Sequence, residues 1–520
     1  MLSSLLLTAA LAAPQSPLAL APQNRRGQTP QTPFAAPQGQ NAGLLALSQR
    51  MPRLMFSPYY PGAPGVGAPQ PQPTIANSTG PTLGNATPAV LPVPAGFGNN
   101  PGQQNQVTIE KKRWPAPGNS GLYELRITGL PSGFVERFLL QVPAGPTDVD
   151  VPLVVAYHAF GVSMFDITVN TTIPAETDSR GWYMLAPLGT ADITFSSLTS
   201  QFHTELLIDL VCQNFNIDTS RIYGIGFSMG GGNALNYAAR HVDPDKPMFA
   251  ALVNHTGICS QRHSYEYDCL HDTIIDCPTQ NAWEFWYGGP PDTFGFMYAR
   301  SSVIDMNVLT TVIDPDTDFA RNLLHVPINS WLATQDPLTE LIEQNFRFVT
   351  WFATKGGSII LNPILNANHE WATLDVASSF LWLENQALSL PTSADTLADQ
   401  DGKWFWFDLV QDAGGDFSRF SWAVDNFLNQ LTIDTTANVS ELQAHVVDAG
   451  LDTAQVFRLA LGPTEDGTTD SIVLLDYPNA PSQVTRDGLV DTSWVHDPVE
   501  GTLTISELDW SATHDWVVNP

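Results

Sequence analysis

The spacing of apolar positions divides this chain into three stretches of different character. Residues 122–128 and 136–142 alternate apolar and polar side chains, the pattern of half-exposed strands. Gly129-Leu130-Pro131-Ser132-Gly133 between them has turn composition. Residues 151–157 then form an unbroken apolar run of the kind buried in a parallel sheet. Further strands are expected at 182–187, 248–253, 328–333 and 358–362. Helical spacing separates them at 201–215, from Ala234 to His241, at 338–354 and at 373–387. Strands alternating with helices predict an α/β domain over 107–392, with a mostly parallel sheet and helices on both faces.

Two stretches depart from that rhythm. Residues 255–310 hold Cys259, Cys269 and Cys277 among many aromatic side chains, and they follow the strand at 248–253. They are expected to form a lid or cap on the functional edge, with Trp286 and Tyr287 as candidate substrate contacts. The plainer expectation is that most of these rings pack the insertion's own small core. After Pro391, short strands at 403–410, 431–433, 442–447, 456–461, 471–475 and 502–505 are punctuated by Gly, Asp, Asn and Thr. They predict a separate all-β, sandwich-like accessory domain at 395–520.

Composition changes the picture most at the N-terminus. Residues 14–106 are dominated by Pro, Gln, Gly, Ala and Asn, too few of them apolar to offset ordering entropy. A disordered linker or tail is expected. Residues 1–13 are apolar and end in Ala10-Leu11-Ala12, which reads as a signal peptide without the usual leading cation. The chain is therefore expected to be secreted, periplasmic or held at the cell surface. No stretch reaches the length of a membrane span.

The net charge is −30, and residues 1–106 carry four Arg and no acidic residue. The remainder therefore carries −34, which disfavours nucleic acid as a partner. Four cysteines allow two disulfides. If Cys269 pairs with Cys277, Cys212 would be left to Cys259; equally, Cys212 is read as a buried free thiol. No Cys/His spacing suits zinc, and no metal or cofactor is expected. The acidic loop at 464–470 lacks the regular ligand spacing of a calcium site.

The chemistry centres on Gly226-Phe227-Ser228-Met229-Gly230. A β-prone segment at 222–225 precedes it and a helical one follows, so Ser228 is expected on a sharp strand-to-helix turn with the helix N-terminus behind it. A serine hydroxyl needs a base and an orienting carboxylate before it becomes a nucleophile. His369 is the histidine between the last expected strand and the change at 391. Asp336 ends the run Ser330-Trp331-Leu332-Ala333-Thr334-Gln335-Asp336 and precedes Pro337, with Asp314, Asp316 and Asp318 as competitors. Oxyanion donors are expected from the backbone N–H of Met229 and of Phe160. Phe160 and Trp371 are further candidate substrate contacts.

Residues 120–390 resemble the polyhydroxybutyrate depolymerase/feruloyl esterase-type branch of the α/β-hydrolases. The resemblance is carried by Arg221-Ile222-Tyr223-Gly224-Ile225-Gly226-Phe227-Ser228-Met229-Gly230-Gly231. The oxyanion-loop stretch at 152–161 and the acid turn at 333–338 match more loosely. Ala159, Ala333 and Thr339 depart from the Gly, Gly and Val of that pattern. The resemblance implies a secreted serine esterase acting on an ester substrate, polymeric or of plant-wall type. A peptidase of the same fold and a non-catalytic binding protein on a hydrolase scaffold are the alternatives.

Overall fold

The computed structural model describes residues 108–114, 120–128, 130, 132–144, 149–271, 278–463, 471–505 and 512–520. The apolar start at 1–13, the tail at 14–106, Cys277 and the loop at 464–470 lie outside them.

Nine strands make one sheet: β1 (Thr108–Trp114), β2 (Gly121–Thr128), β3 (Glu136–Val142), β4 (Val151–Tyr157), β5 (Tyr183–Pro187), β6 (Ile217–Phe227), β7 (Ala251–His255), β8 (Ile328–Ala333) and β9 (Ile359–Ile364). Their order is β1-β2-β3-β5-β4-β6-β7-β8-β9. The pairs from β1 through β3 to β5 are antiparallel, and every pair from β5 to β9 is parallel. The strand in the middle shows why both faces are covered. Leu153 and Val155 of β4 enter one hydrophobic core, while Val154 and Ala156 enter another on the opposite face.

Helices fill the crossovers: α1 (Asp166–Asn170), α2 (Ile173–Arg180), α3 (Leu198–Asn214), α4 (Met229–Arg240), α5 (Gln261–His271), α6 (Pro278–Tyr287), α7 (Pro291–Ala299), α8 (Thr339–Thr354) and α9 (Val376–Leu383). This is the α/β-hydrolase fold, with α5–α7 inserted after β7. The helix expected at 373–387 is shorter, because a 3₁₀ turn at Trp371–Thr373 comes first. The Asp375 side chain then accepts the Ser378 N–H and caps a fresh helix start.

The described residues between 393 and 519 form two further sheets, of seven and six strands, joined by one core. Phe407 of one sheet lies 5.3 Å from Phe420 of the other, ring centre to ring centre. The strand expected at 403–410 is in fact a hairpin, Gly402–Trp404 paired with Phe407–Gln411. Its turn holds Phe405 at φ 54°, and the rest of the molecule explains the break. The Phe405 N–H donates to Val242 O just beyond α4, and its ring is buried 5.5 Å from His325. Burial against the α/β part overrides the strand propensity of a Trp-Phe-Trp-Phe run.

The two parts share more than that turn. Leu397, Ala398 and Trp404 belong to the same core as Tyr237, Phe319 and Leu323. Asn322 donates to Ala239 O and Leu397 O and accepts the Leu397 N–H. Cys212 and Cys259 are both unpaired, so the Cys212–Cys259 disulfide is not formed. Burial raises the Cys212 thiol to about 12, which keeps it an inert core group.

Candidate active site

Strand β6 ends at Phe227 and α4 begins at Met229, leaving Ser228 between them at φ 56°, ψ −123°. That conformation is costly for a non-glycine residue and persists only where its surroundings impose it. Here the Ser228 N–H donates to His255 O at 2.9 Å, and Ser228 O accepts from Gly232 and Ile258. The flanking glycines are steric requirements. A Cβ at Gly226 would lie 2.1 Å from Gly230 O, and one at Gly230 would lie 2.4 Å from Tyr157 O. The first turn of α4 thus presses on the end of β4, where the loop carrying Phe160 begins.

The structure brings the three separated side chains together. His369 Nε2 lies 2.8 Å from Ser228 Oγ, and His369 Nδ1 lies 2.5 Å from Asp336 Oδ2. The other Asp336 oxygen accepts the Leu338 N–H at 2.8 Å, which fixes the carboxylate between β8 and α8. A carboxylate only accepts, so Nδ1 carries the imidazole proton and Nε2 is left to accept from Ser228. Ser228, Asp336 and His369 are 4%, 2% and 3% exposed, so the hydrogen bonds operate largely out of water. Of the competing acids, Asp318 is instead paired with Arg321.

A second chain of the same residue types needs separating from this one. Ser132 Oγ lies 2.8 Å from His203 Nε2, and His203 Nδ1 lies 2.8 Å from Glu136 Oε2. Glu136 also accepts the N–H groups of Leu188, Gly189 and Thr190. Ser132 stands on a turn with no helix starting behind it, and its oxygen accepts the Phe134 N–H. This arrangement pins the β2–β3 turn to the loop after β5.

Two backbone groups suit an oxyanion. Met229 opens α4, so its N–H has no partner within the helix. In the loop after β4, Ala159 N–H donates to Asp166 and Gly161 N–H to Asp192 O. The amide between them, that of Phe160, has no protein acceptor among the described residues. The half-buried Phe160 ring lies 5.4 Å from Phe195 and packs on the cluster containing Met229 and Ile258.

The other sequence-selected aromatics occupy defined places. Tyr287 is buried and its hydroxyl donates to Phe195 O, while the half-buried Trp286 donates to Ile193 O at 2.8 Å. With Trp283 stacked on Phe195 at 4.1 Å, they fasten α6 to the 193–196 loop beside Met229. Their polar atoms are thus engaged with protein, and the insertion's rings pack both on one another, as Tyr265, Trp283, Tyr287 and Tyr298 do, and on Ile193, Phe195 and Met229 of the sheet domain. Trp371 is likewise buried, with its indole N–H donated to Asp166 at 2.7 Å.

Sequence reasoning passed over three neighbours. His255 ends β7, stacks on Phe227 at 4.6 Å, and donates Nε2–H to Glu370 O. Burial lowers it to about 4, so it is neutral. Its place at the carboxyl end of a parallel strand was the available signal. Glu340, in the first turn of α8, is raised to about 8 by burial and by the charges of Asp268 and Asp336. Asp166 offered no signal, since its partners are distant in sequence. No group of His, Cys, Asp and Glu suited to a metal ion occurs among the described residues. Nor is any helix among them long and apolar enough to cross a membrane.

No family model and no curated protein matches the chain. Among solved structures it is similar to an S-formylglutathione hydrolase from Agrobacterium tumefaciens, at 14% identity and TM-score 0.40 over 52% of this chain and 97% of that one. A ferulic acid esterase is similar at 14% identity and TM-score 0.37, over 54% and 97% of the two chains. An acetyl xylan esterase from Paenibacillus sp. R4 is similar at 15% identity and TM-score 0.38, over 54% and 90%.

Proposed function

We propose that the chain is a serine hydrolase that cleaves carboxylic esters through an acyl-enzyme on Ser228. The observation that carries this reading is the continuous hydrogen-bonded line from Ser228 Oγ through His369 to Asp336, with Ser228 held at positive φ at the start of α4. In the first step Ser228 Oγ attacks the ester carbonyl carbon while His369 Nε2 takes its proton. Asp336 keeps the ring oriented and stabilises the imidazolium. The oxyanion that develops is met by the N–H groups of Met229 and Phe160, which stand in place before the reaction. Collapse breaks the carbon–oxygen bond, and His369 returns the proton to the departing alcohol. Water deprotonated by the same nitrogen then hydrolyses the acyl-enzyme.

The buried neutral His255 supports this reading. It keeps a second positive charge away from the imidazolium at neutral pH. A polymeric or plant-wall ester as substrate, and export directed by residues 1–13, belong to the same proposal. They rest on the motif resemblance and on the apolar N-terminal run.

The test is hydrolysis of p-nitrophenyl acetate and labelling by a fluorophosphonate, wild type against Ser228→Ala. Loss of both is expected, by about 10⁴-fold or more in kcat. Equal turnover by the two proteins would sink the proposal. Turnover of acetylated, feruloylated and polyhydroxyalkanoate esters would then select the acyl class. Sequencing the N-terminus of protein recovered from the medium of a secreting host tests export.

A further inference from the structure

Resting on the esterase reading, we propose that Asp166 is a positioning residue that sets the oxyanion loop against the loop carrying the general base. One oxygen, Asp166 Oδ2, accepts both the backbone N–H of Ala159 at 3.2 Å and the indole N–H of Trp371 at 2.7 Å. Ala159 immediately precedes Phe160, the second oxyanion donor. Trp371 lies two residues beyond His369. The other oxygen, Oδ1, accepts from Asn170 Nδ2 at 2.7 Å, which holds the carboxylate in place on α1. No other carboxylate among the described residues is bonded to both loops.

Geometry explains why a tie is needed there. Phe160 follows β4 and His369 follows β9, and β6, β7 and β8 lie between those strands in the sheet. Strand pairing therefore fixes the two loops only through several intermediate strands. Asp166 joins them directly. Being acceptor-only, it turns both N–H groups inward to a single point. The buried Trp371 ring carries the tie onward, since it lies 5.3 Å from Phe227, whose ring lies 4.5 Å from His369. Orientation of the Ala159 peptide governs where the next amide, that of Phe160, points. The energetic consequence falls on the transition state, because the oxyanion is made only there.

The experiment compares wild type, Asp166→Asn and Trp371→Phe with the double variant, using p-nitrophenyl acetate and a short alkylboronic acid that mimics the tetrahedral state. Asp166→Asn keeps the size but loses the charge, and Trp371→Phe keeps an aromatic ring but loses the N–H. The expected result is a kcat lower by roughly 10- to 100-fold with KM within about twofold, boronate affinity falling in parallel. The double variant should be little worse than the poorer single one, since both changes cut the same tie. The thermal midpoint reports folding separately, and Trp371→Phe serves if Asp166→Asn does not fold. Wild-type kcat in a folded variant, a loss confined to KM, or fully additive losses would each overturn the proposal. An active Ser228→Ala protein would defeat the esterase reading instead, so the two failures are told apart.

Discussion

His255 donates its Nε2–H to the carbonyl of Glu370 across 2.9 Å, joining the end of β7 to the residue that follows His369. The same His255 accepts the Ser228 N–H on its own carbonyl. Ser228 and His369 are thus both fastened to one residue that stands outside the hydrogen-bonded line from Ser228 to Asp336. Phe227 fills the space between the two imidazoles, 4.6 Å from His255 and 4.5 Å from His369.

His255→Phe keeps a ring against Phe227 but leaves Glu370 O without its donor. A loss of about 1–3 kcal/mol is expected, together with lower kcat. The pH dependence has a definite sign. His255 is lowered by burial from an ordinary 6.5 to about 4, so the unfolded chain takes its proton first as pH falls. The stability from keeping it neutral is full above about 6.5 and is lost progressively down to about 4. Melting curves from pH 7 to pH 4 should therefore fall less steeply for His255→Phe than for wild type. Parallel curves would contradict the assignment.

Gly230→Ala tests the contact between the start of α4 and the loop after β4. The new Cβ would stand 2.4 Å from Tyr157 O and 2.6 Å from His158 O, both backbone atoms that cannot swing away. Destabilisation of about 3 kcal/mol is expected, with activity lost in whatever protein folds. Gly295→Ala, whose Cβ would meet nothing within 4 Å, is the matched control and should behave as wild type.

Glu340 provides an alkaline counterpart. Its carboxyl is buried in the first turn of α8, Oε2 has no hydrogen-bond partner among the described residues, and burial with the nearby Asp268 and Asp336 raises it to about 8. A raised carboxyl is bound to its proton more tightly in the folded state. Its stabilisation is complete below the ordinary value of about 4.5 and disappears as pH climbs through about 8. Glu340→Gln should abolish that alkaline decline, so its melting temperature should exceed that of wild type at pH 9 by more than at pH 5. The reverse ordering would show that Glu340 is not buried as a neutral acid.

Much of this was legible because it depends on local pattern. The β4 run 151–157 has all but its first residue buried, and the Gly226-to-Gly230 spacing follows from backbone contact between β6, α4 and β4. Ser228, Asp336 and His369 could be picked out because each lies just beyond a strand that its own apolar run announces. Side chains whose partners come from elsewhere in the chain were not legible. Asp166 meets Trp371, 205 positions away, and Phe405 breaks its strand because Val242 and His325 receive it. The partners of the insertion's rings were hidden for a related reason. Composition offers Tyr287 and Trp286 as candidate substrate contacts but does not show that their polar atoms reach back to the 193–195 backbone.

The relation between the two halves yields the last prediction. Asp399, in the C-terminal part, receives the guanidinium of Arg240 on both oxygens and that of Arg300 on one. Its side chain is fully buried, and those of Arg240 and Arg300 are 6% and 11% exposed. Arg240 ends the helix that Ser228 begins, and Arg300 follows α7 of the insertion. One carboxylate therefore holds the far end of α4 and the base of the insertion. Asp399→Ala leaves two buried cations without their shared partner, at an expected cost of about 3–5 kcal/mol. Deleting 395–520 goes further, since it also uncovers the core shared with Leu397, Trp404 and Phe405. The shortened chain should fail to give folded protein and should lose activity on soluble p-nitrophenyl acetate as completely as on an insoluble ester. A detachable binding module would behave otherwise, sparing the soluble substrate. Circular dichroism melts of the deletion and of Asp399→Ala, run beside both assays, decide the matter. A deletion that melts cooperatively near the wild-type temperature and keeps full soluble-ester turnover would make the shared core incidental.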